Sequence, residues 1–186
     1  MKRSQLELAI HTASTAIGQA QVLVIGSQAI LGSFTERDLP ERAYQSREVD
    51  IAPLTDDENE SLATLIDVTA GEWSPFDKKY GFYVQGVGVR TAYLPQGWFD
   101  RLVEVRADKS GTSIGLCLEP HDLCAAKLAR NDEKDREFVT ALVRAKLVDA
   151  RTIVERIELI DDARFTNPQR ATALSFARHL AGLPLK

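Results

Sequence analysis

Cysteine is scarce in this chain, with two among 186 residues. Cys117 and Cys124 are too few for a disulfide framework, and their spacing suits neither a zinc ribbon nor a redox pair. Histidine is as thin: His11, His121 and His179 are scattered and form no metal-ligand motif. No apolar run approaches the roughly 20 residues that a bilayer demands. The basic start, Met1-Lys2-Arg3, leads into no continuous apolar stretch and no cleavage pattern, so no signal peptide is expected. Internal repeats and low-complexity tracts are missing too. A strong positive charge is also lacking: the net value of −4 argues against tight non-specific binding to nucleic acid. A reduced, cytoplasmic protein without membrane contact is the expectation these absences leave.

What is present reads as an ordinary globular chain, 44% hydrophobic and 27% charged. The length fits one domain or one domain with a helical extension, and suffices for a sizeable core. Charge is uneven along it: residues 1–120 carry 11 basic and 17 acidic side chains, and residues 121–186 carry 12 and 10. The expected division follows that change, an α/β core over 1–120 and a helical part over 121–186 that packs on the core and completes its site.

Taken in order, residues 4–19 show apolar positions at a helical period, with Gly18 as the stop. Residues 22–25 read as a buried strand, followed by a short helix from Ser27 to about Gly32. Residues 34–46 read as a polar loop that orders with ligand. A second strand carries Glu48 and Asp50, and an acidic helix start at Asp56-Asp57-Glu58 runs to about Thr69, with Leu62, Leu65, Ile66 and Val68 on its buried side. Residues 71–79 read as a loop. Tyr80–Val84 and Gly88–Leu94 are expected as an antiparallel pair, and 102–106 and 112–118 as two more strands joined through Asp108–Gly111. After Pro120 the pattern is helical: 120–130, 132–146, 149–160 and 168–181, capped by Asp132, Asp149 and Asn167. Trp73, Trp98, Tyr80, Tyr83 and Tyr93 read as core. The fold class is α+β, a mixed sheet with early helices and a helical C-terminal part.

Two stretches carry the chemistry. In Val22-Leu-Val-Ile-Gly26-Ser27 a buried strand stops at a glycine, which permits close backbone approach, and the following turn offers amides and a hydroxyl to a phosphate. In Ser46-Arg-Glu48-Val-Asp50-Ile51 the two carboxylates share one strand face while Val49 and Ile51 share the other. Such a pair repels itself unless a cation lies between, and a hard divalent ion such as Mg²⁺ takes one or two carboxylates together with substrate phosphates. The bland alternatives are an edge-strand face paired to Arg47 or Arg90, and a serine N-cap. Glu104 alternates with Val103 and Val105 and is a candidate third carboxylate or a surface glutamate. Lys127 snorkels or binds phosphate. Asp135 stands at capping-box spacing from Asp132 or faces a pocket.

Gly26-Ser27 after a strand, followed by Ser46-x-Glu48-x-Asp50, resembles the nucleotidyltransferase fold of the DNA polymerase β superfamily. His121-Asp122-Leu-Cys-Ala-Ala-Lys127-Leu-Ala-Arg130, with Lys134-Asp135 beyond it, is similar to the lysine-bearing helix of AbiEii and MenT-type nucleotidyltransferase toxins. The resemblance spans roughly residues 20–147. It implies a twisted mixed sheet and transfer of a nucleoside monophosphate from an NTP with Mg²⁺. Gly26, Ser27, Lys127 and Arg130 would hold the nucleotide, Glu48 and Asp50 the metal, and Lys127 and Asp135 would join the two acids in catalysis. It also implies an acceptor hydroxyl such as an RNA or tRNA 3′ end, and a cognate antitoxin as partner. Glu48 stands where that pattern usually has Asp. That departure, with the long 34–46 segment, motivates the rival reading of a catalytically weakened nucleotide-binding or protein-interaction module.

Overall fold

A computed structural model describes residues 1–107 and 111–184. The first helix, α1 (Arg3–Ile17), ends at Gly18 in the left-handed conformation that its lack of a Cβ permits. Strand β1 (Gln21–Val24) follows, then a 3₁₀ helix at Ser27–Gly32 and a one-turn helix α2 (Glu41–Tyr44). Strand β2 (Glu48–Pro53), helices α3 (Ser61–Ala70) and α4 (Pro75–Tyr80), and strand β3 (Tyr83–Gly86) complete the first half. Strands β4 (Val103–Arg106) and β5 (Ile114–Cys117) lead into helices α5 (Pro120–Arg130), α6 (Glu133–Arg144), α7 (Ala150–Glu158) and α8 (Asn167–Leu180). The architecture is α+β: a mixed five-stranded sheet in the order β3-β2-β1-β5-β4, flanked by helices.

The sheet is built from long-range pairings. β1 runs antiparallel to β2, with Val24 opposite Ile51, and parallel to β5, with Val24 opposite Cys117. β2 and β3 are parallel, placing Glu48 beside Tyr83 and Asp50 beside Gln85. A Cβ on Gly115 would meet Ile10 of α1, and one on Gly86 would meet the Ala63 carbonyl of α3. Those contacts fix one sheet face as the side of α1 and α3, and register puts Val22, Val24, Val49 and Ile51, all buried, on that side. Glu48 and Asp50 therefore project from the opposite face.

Several local expectations give way. Residues 88–94 form no strand: Val89–Thr91 is a 3₁₀ turn, and β3 pairs with β2 instead of forming a hairpin. The 71–79 stretch contains α4, opened by Ser74, whose hydroxyl accepts from the Asp77 amide, and by Pro75. α3 begins at Ser61, after the acidic run. Asp56 caps it from outside by accepting from the Leu62 and Ala63 amides, each at 2.9 Å. Leu65 and Val68 lie on its exposed side. The 34–46 segment holds α2, with Ala43 buried and Arg42 paired to Glu137. Thr166, with Gln169, caps α8 in place of Asn167. Trp73 and Tyr80, read as core, are exposed. Of the Asp108–Gly111 turn, residues 108–110 lie outside the described residues.

Candidate active site

A cleft of about 380 Å³ opens where β1 ends, bounded by Gly26 and Ser27 on one side, Glu48 and Asp50 on another, and α5 and α6 opposite. Gly26 is fixed there by its neighbour: a Cβ on it would lie 1.5 Å from Asp50 Oδ2. The Asp50 carboxylate thus occupies the space any side chain at 26 would need. The acid pair and the glycine-serine turn share one side of the sheet, on adjacent antiparallel strands.

Asp50 is set in a strained electrostatic position. Burial, and then the negative charge of Glu48, push its carboxyl up from 3.8 to about 6, against the pull of Lys127 and Arg130. Glu48 is held on both sides. Its amide donates to Ser46 Oγ at 3.1 Å, and its Oε2 accepts from the Tyr83 hydroxyl at 2.8 Å. Burial, then that bond, raises the Tyr83 phenol above its ordinary value. Neither Arg47, which pairs with Asp77 at 2.8 Å, nor Arg90 neutralises the acids.

The opposing wall is cationic. Leu123, Ala126, Lys127 and Arg130 fall at i, i+3, i+4 and i+7 of α5, so one helix face meets the cleft. Asp135, at the start of α6 and 0% exposed, ties two of them down. Its Oδ1 accepts from Lys127 Nζ at 2.8 Å and from Arg130 Nη2 at 2.8 Å, and its Oδ2 accepts from Arg130 Nε at 2.7 Å. Burial disfavours the Asp135 charge, but the Arg130 hydrogen bonds and the Lys127 charge outweigh it and hold the carboxyl below the usual carboxylate range. Lys127 also lies 4.7 Å from the Phe138 ring centroid. A carboxylate so saturated is poorly suited to take a proton. Its oxygens are taken up by the two cations, whose charge also reaches Asp50.

Glu104 is not in this assembly. It is exposed on edge strand β4, with β1 and β5 between it and β2, and the candidate third carboxylate is withdrawn. Among the described residues no group of three or more His, Cys, Asp or Glu side chains is placed to hold a metal ion; of the acids lining the cleft, Asp135 is taken up by Lys127 and Arg130, which leaves Glu48 and Asp50. Two hard oxygen donors side by side, kept close despite mutual repulsion, fit a divalent cation whose remaining ligands are phosphate oxygens and water.

Sequence reasoning missed several lining residues. Tyr83 and Tyr93, read as core, both turn to the site: one bonds Glu48 and the other lines the cleft beside Thr91 and Ala92. The cross-strand register of β2 with β3 placed Tyr83, and no local pattern carries that. Arg42, Gln45 and Lys134 also line the cleft. Gln28, next to Ser27, is buried at its edge, with no hydrogen-bond partner for its amide among the described residues.

The cleft thus brings together an acid pair, a glycine-serine turn across two strands of a mixed sheet, and a clamped lysine and arginine opposite. A family model described as a nucleotidyltransferase of unknown function (DUF6036) matches residues 5–179, and the chain belongs to that family. Neither the comparison with curated proteins nor that with solved structures finds a significant match.

Proposed function

We propose that the chain transfers a nucleoside monophosphate from an NTP to an acceptor hydroxyl, the acceptor oxygen bonding to the α-phosphorus as the α–β phosphoanhydride breaks and pyrophosphate leaves, using a divalent ion held by Glu48 and Asp50. The observation behind this is the contact of the Asp50 carboxylate with the Cα of Gly26, which brings an anion-binding turn and a cation-binding acid within one side chain of each other. Mg²⁺ is the ion we assign, because the donors are oxygen alone. Bound there, the ion would screen phosphate charge and lower the pKa of the attacking hydroxyl.

The protein's own groups do the rest. Amides at the start of the 27–32 turn and the Ser27 hydroxyl orient the phosphates. Lys127 and Arg130, held by Asp135, offset the negative charge that builds on the transferred group. Tyr83 fixes the rotamer of Glu48 so that its second oxygen faces the cleft. Lys134 in the cleft lining, with Arg42 nearby though paired to Glu137, favours a polyanionic acceptor. Together with the resemblance to nucleotidyltransferase toxins, they make an RNA 3′ end such as that of tRNA the acceptor to try first, and a neutralising antitoxin the partner to seek.

The test is incubation with α-labelled NTPs, Mg²⁺ and either total RNA, protein or small-molecule hydroxyl acceptors. Label should pass to an acceptor and cease with chelator or with Asp50→Asn. Tight NTP binding without transfer to any acceptor would leave a nucleotide-binding module and end the catalytic reading.

A further inference from the structure

The fold gives no reason for a glutamine at position 28. The residues that follow it in the 27–32 turn, Ala29, Ile30, Leu31 and Gly32, are apolar and buried, and Gln28 is buried with them at 0% exposure. A leucine or methionine there would fill the space without taking polar atoms out of water. Instead the position carries a primary amide, and neither its Nε2 nor its Oε1 has a hydrogen-bond partner.

The other buried polar or charged side chains among the described residues are all bonded. Ser14 donates to the Gln19 carbonyl at 2.7 Å, and Ser113 lies 3.0 Å from His11 Nδ1. Asp77, Asp122 and Asp135 each accept from an arginine at 2.8 Å or less. A buried donor and acceptor left unpaired cost free energy, and in folded chains such exceptions point to a functional role or an ordered water. The place of this one favours a ligand: Gln28 follows Ser27 directly and lines the cleft. No hydrogen bond holds the amide, so turning it toward the cleft breaks none. The element packed against its turn on that side, α2, is four residues long.

Phosphate is the wrong partner for it. Phosphate oxygens only accept, so they would suit the amide N–H groups and repel the carbonyl. A nucleoside suits both halves. A base edge sets donor and acceptor side by side, and a ribose hydroxyl is donor and acceptor in one.

We propose that Gln28 is a specificity-determining residue, which binds the nucleoside part of the NTP through both groups of its amide, at the base edge or at the ribose hydroxyls. This role presupposes the nucleotidyl transfer proposed above for the same cleft.

The experiment is titration calorimetry of the full chain with Mg²⁺ and, in turn, the four NTPs, the 2′-deoxy and 3′-deoxy forms of the tightest, and inorganic tripolyphosphate. The parent is compared with Gln28→Met, which keeps the length of the side chain and gives up both hydrogen bonds, and with Gln28→Ala. The tightest NTP should lose about tenfold or more in affinity in both variants, while tripolyphosphate binds as before. The ratio of the two affinities is read within one protein, so a smaller folded fraction does not mimic the effect. A deoxy analogue that the substitution no longer weakens assigns the ribose; equal weakening of NTP and deoxy analogues assigns the base edge. Equal losses for NTP and tripolyphosphate would overturn the proposal. So would unchanged NTP affinity, which leaves the amide to an ordered water. The readout is binding, so a chain that binds NTP without transferring it still tests Gln28, whereas a parent that binds no NTP ends the underlying reading and this inference together.

Discussion

Asp50 is the residue on which the chemistry and the cost of the site meet. Its folded-state value lies near 6 against an ordinary 3.8. Between those values the folded chain keeps a proton that the unfolded chain releases, so stability of the metal-free protein falls as pH rises from about 4 through 6 and then levels. The difference is on the order of 3 kcal/mol. Asp50→Asn should therefore leave the metal-free protein more stable than the parent at pH 8 by about that amount and no more stable at pH 4, as read from urea unfolding at the two pH values. Equal curves at pH 8 would mean that the Glu48–Asp50 repulsion is relieved in some other way. Gly26→Ala is the steric counterpart. Its methyl would displace the Asp50 carboxylate, and transfer should fall at least about a hundredfold, worth roughly 2.7 kcal/mol in the barrier.

At the scale of elements, α5 and α6 act as one clamp through Asp135. Asp135→Asn would leave Lys127 and Arg130 with weakened anchorage and no compensating charge. The expected cost is about 2–4 kcal/mol, toward the low end because Arg130 is half exposed. In activity it should show mainly as a lower kcat, since the cations remain but are no longer aimed; a KM effect alone would place Asp135 in ordinary substrate binding. The elements also explain what sequence could convey. β1, the alternation at 48–51, and α5 to α8 are legible because period and capping are local, and the acid pair and glycine-serine turn are read from the same local rules. Residues 88–94 look like a strand because Val89, Thr91 and Tyr93 alternate, yet β3 takes its partner from β2 and leaves them unpaired. α4 is missed because six residues are too short for a period to declare itself. Tyr83 is invisible as a site residue until register sets it beside Glu48, and Trp73 is mistaken for core because hydrophobicity alone cannot tell display from burial.

For the molecule as a whole, the decisive fact is that one buried hydrophobic cluster runs from Leu6 of α1 through the strands to Phe138, Ile153 and Ala177 of the C-terminal helices. Cutting after residue 120 would expose the surface that those helices cover and remove Lys127, Arg130 and Asp135 from the cleft. The 1–120 fragment should fail to unfold cooperatively in thermal scans and should not bind NTP. A cooperative transition in the fragment would instead show that the α/β part stands alone.

The parallel pairing of β1 with β5 has a consequence for how the protein comes into being. Residues 21–24 must wait for residues 114–117 to be synthesised before the central ladder can close. The clamp at Asp135 emerges later still. A nascent chain on the ribosome consequently carries its acids and its glycine turn without the opposing cations until residue 135 has emerged, a wait of seconds at about 5–20 residues per second. A fragment that stops short of residue 135 would lack the anchor that holds Lys127 and Arg130 in the cleft.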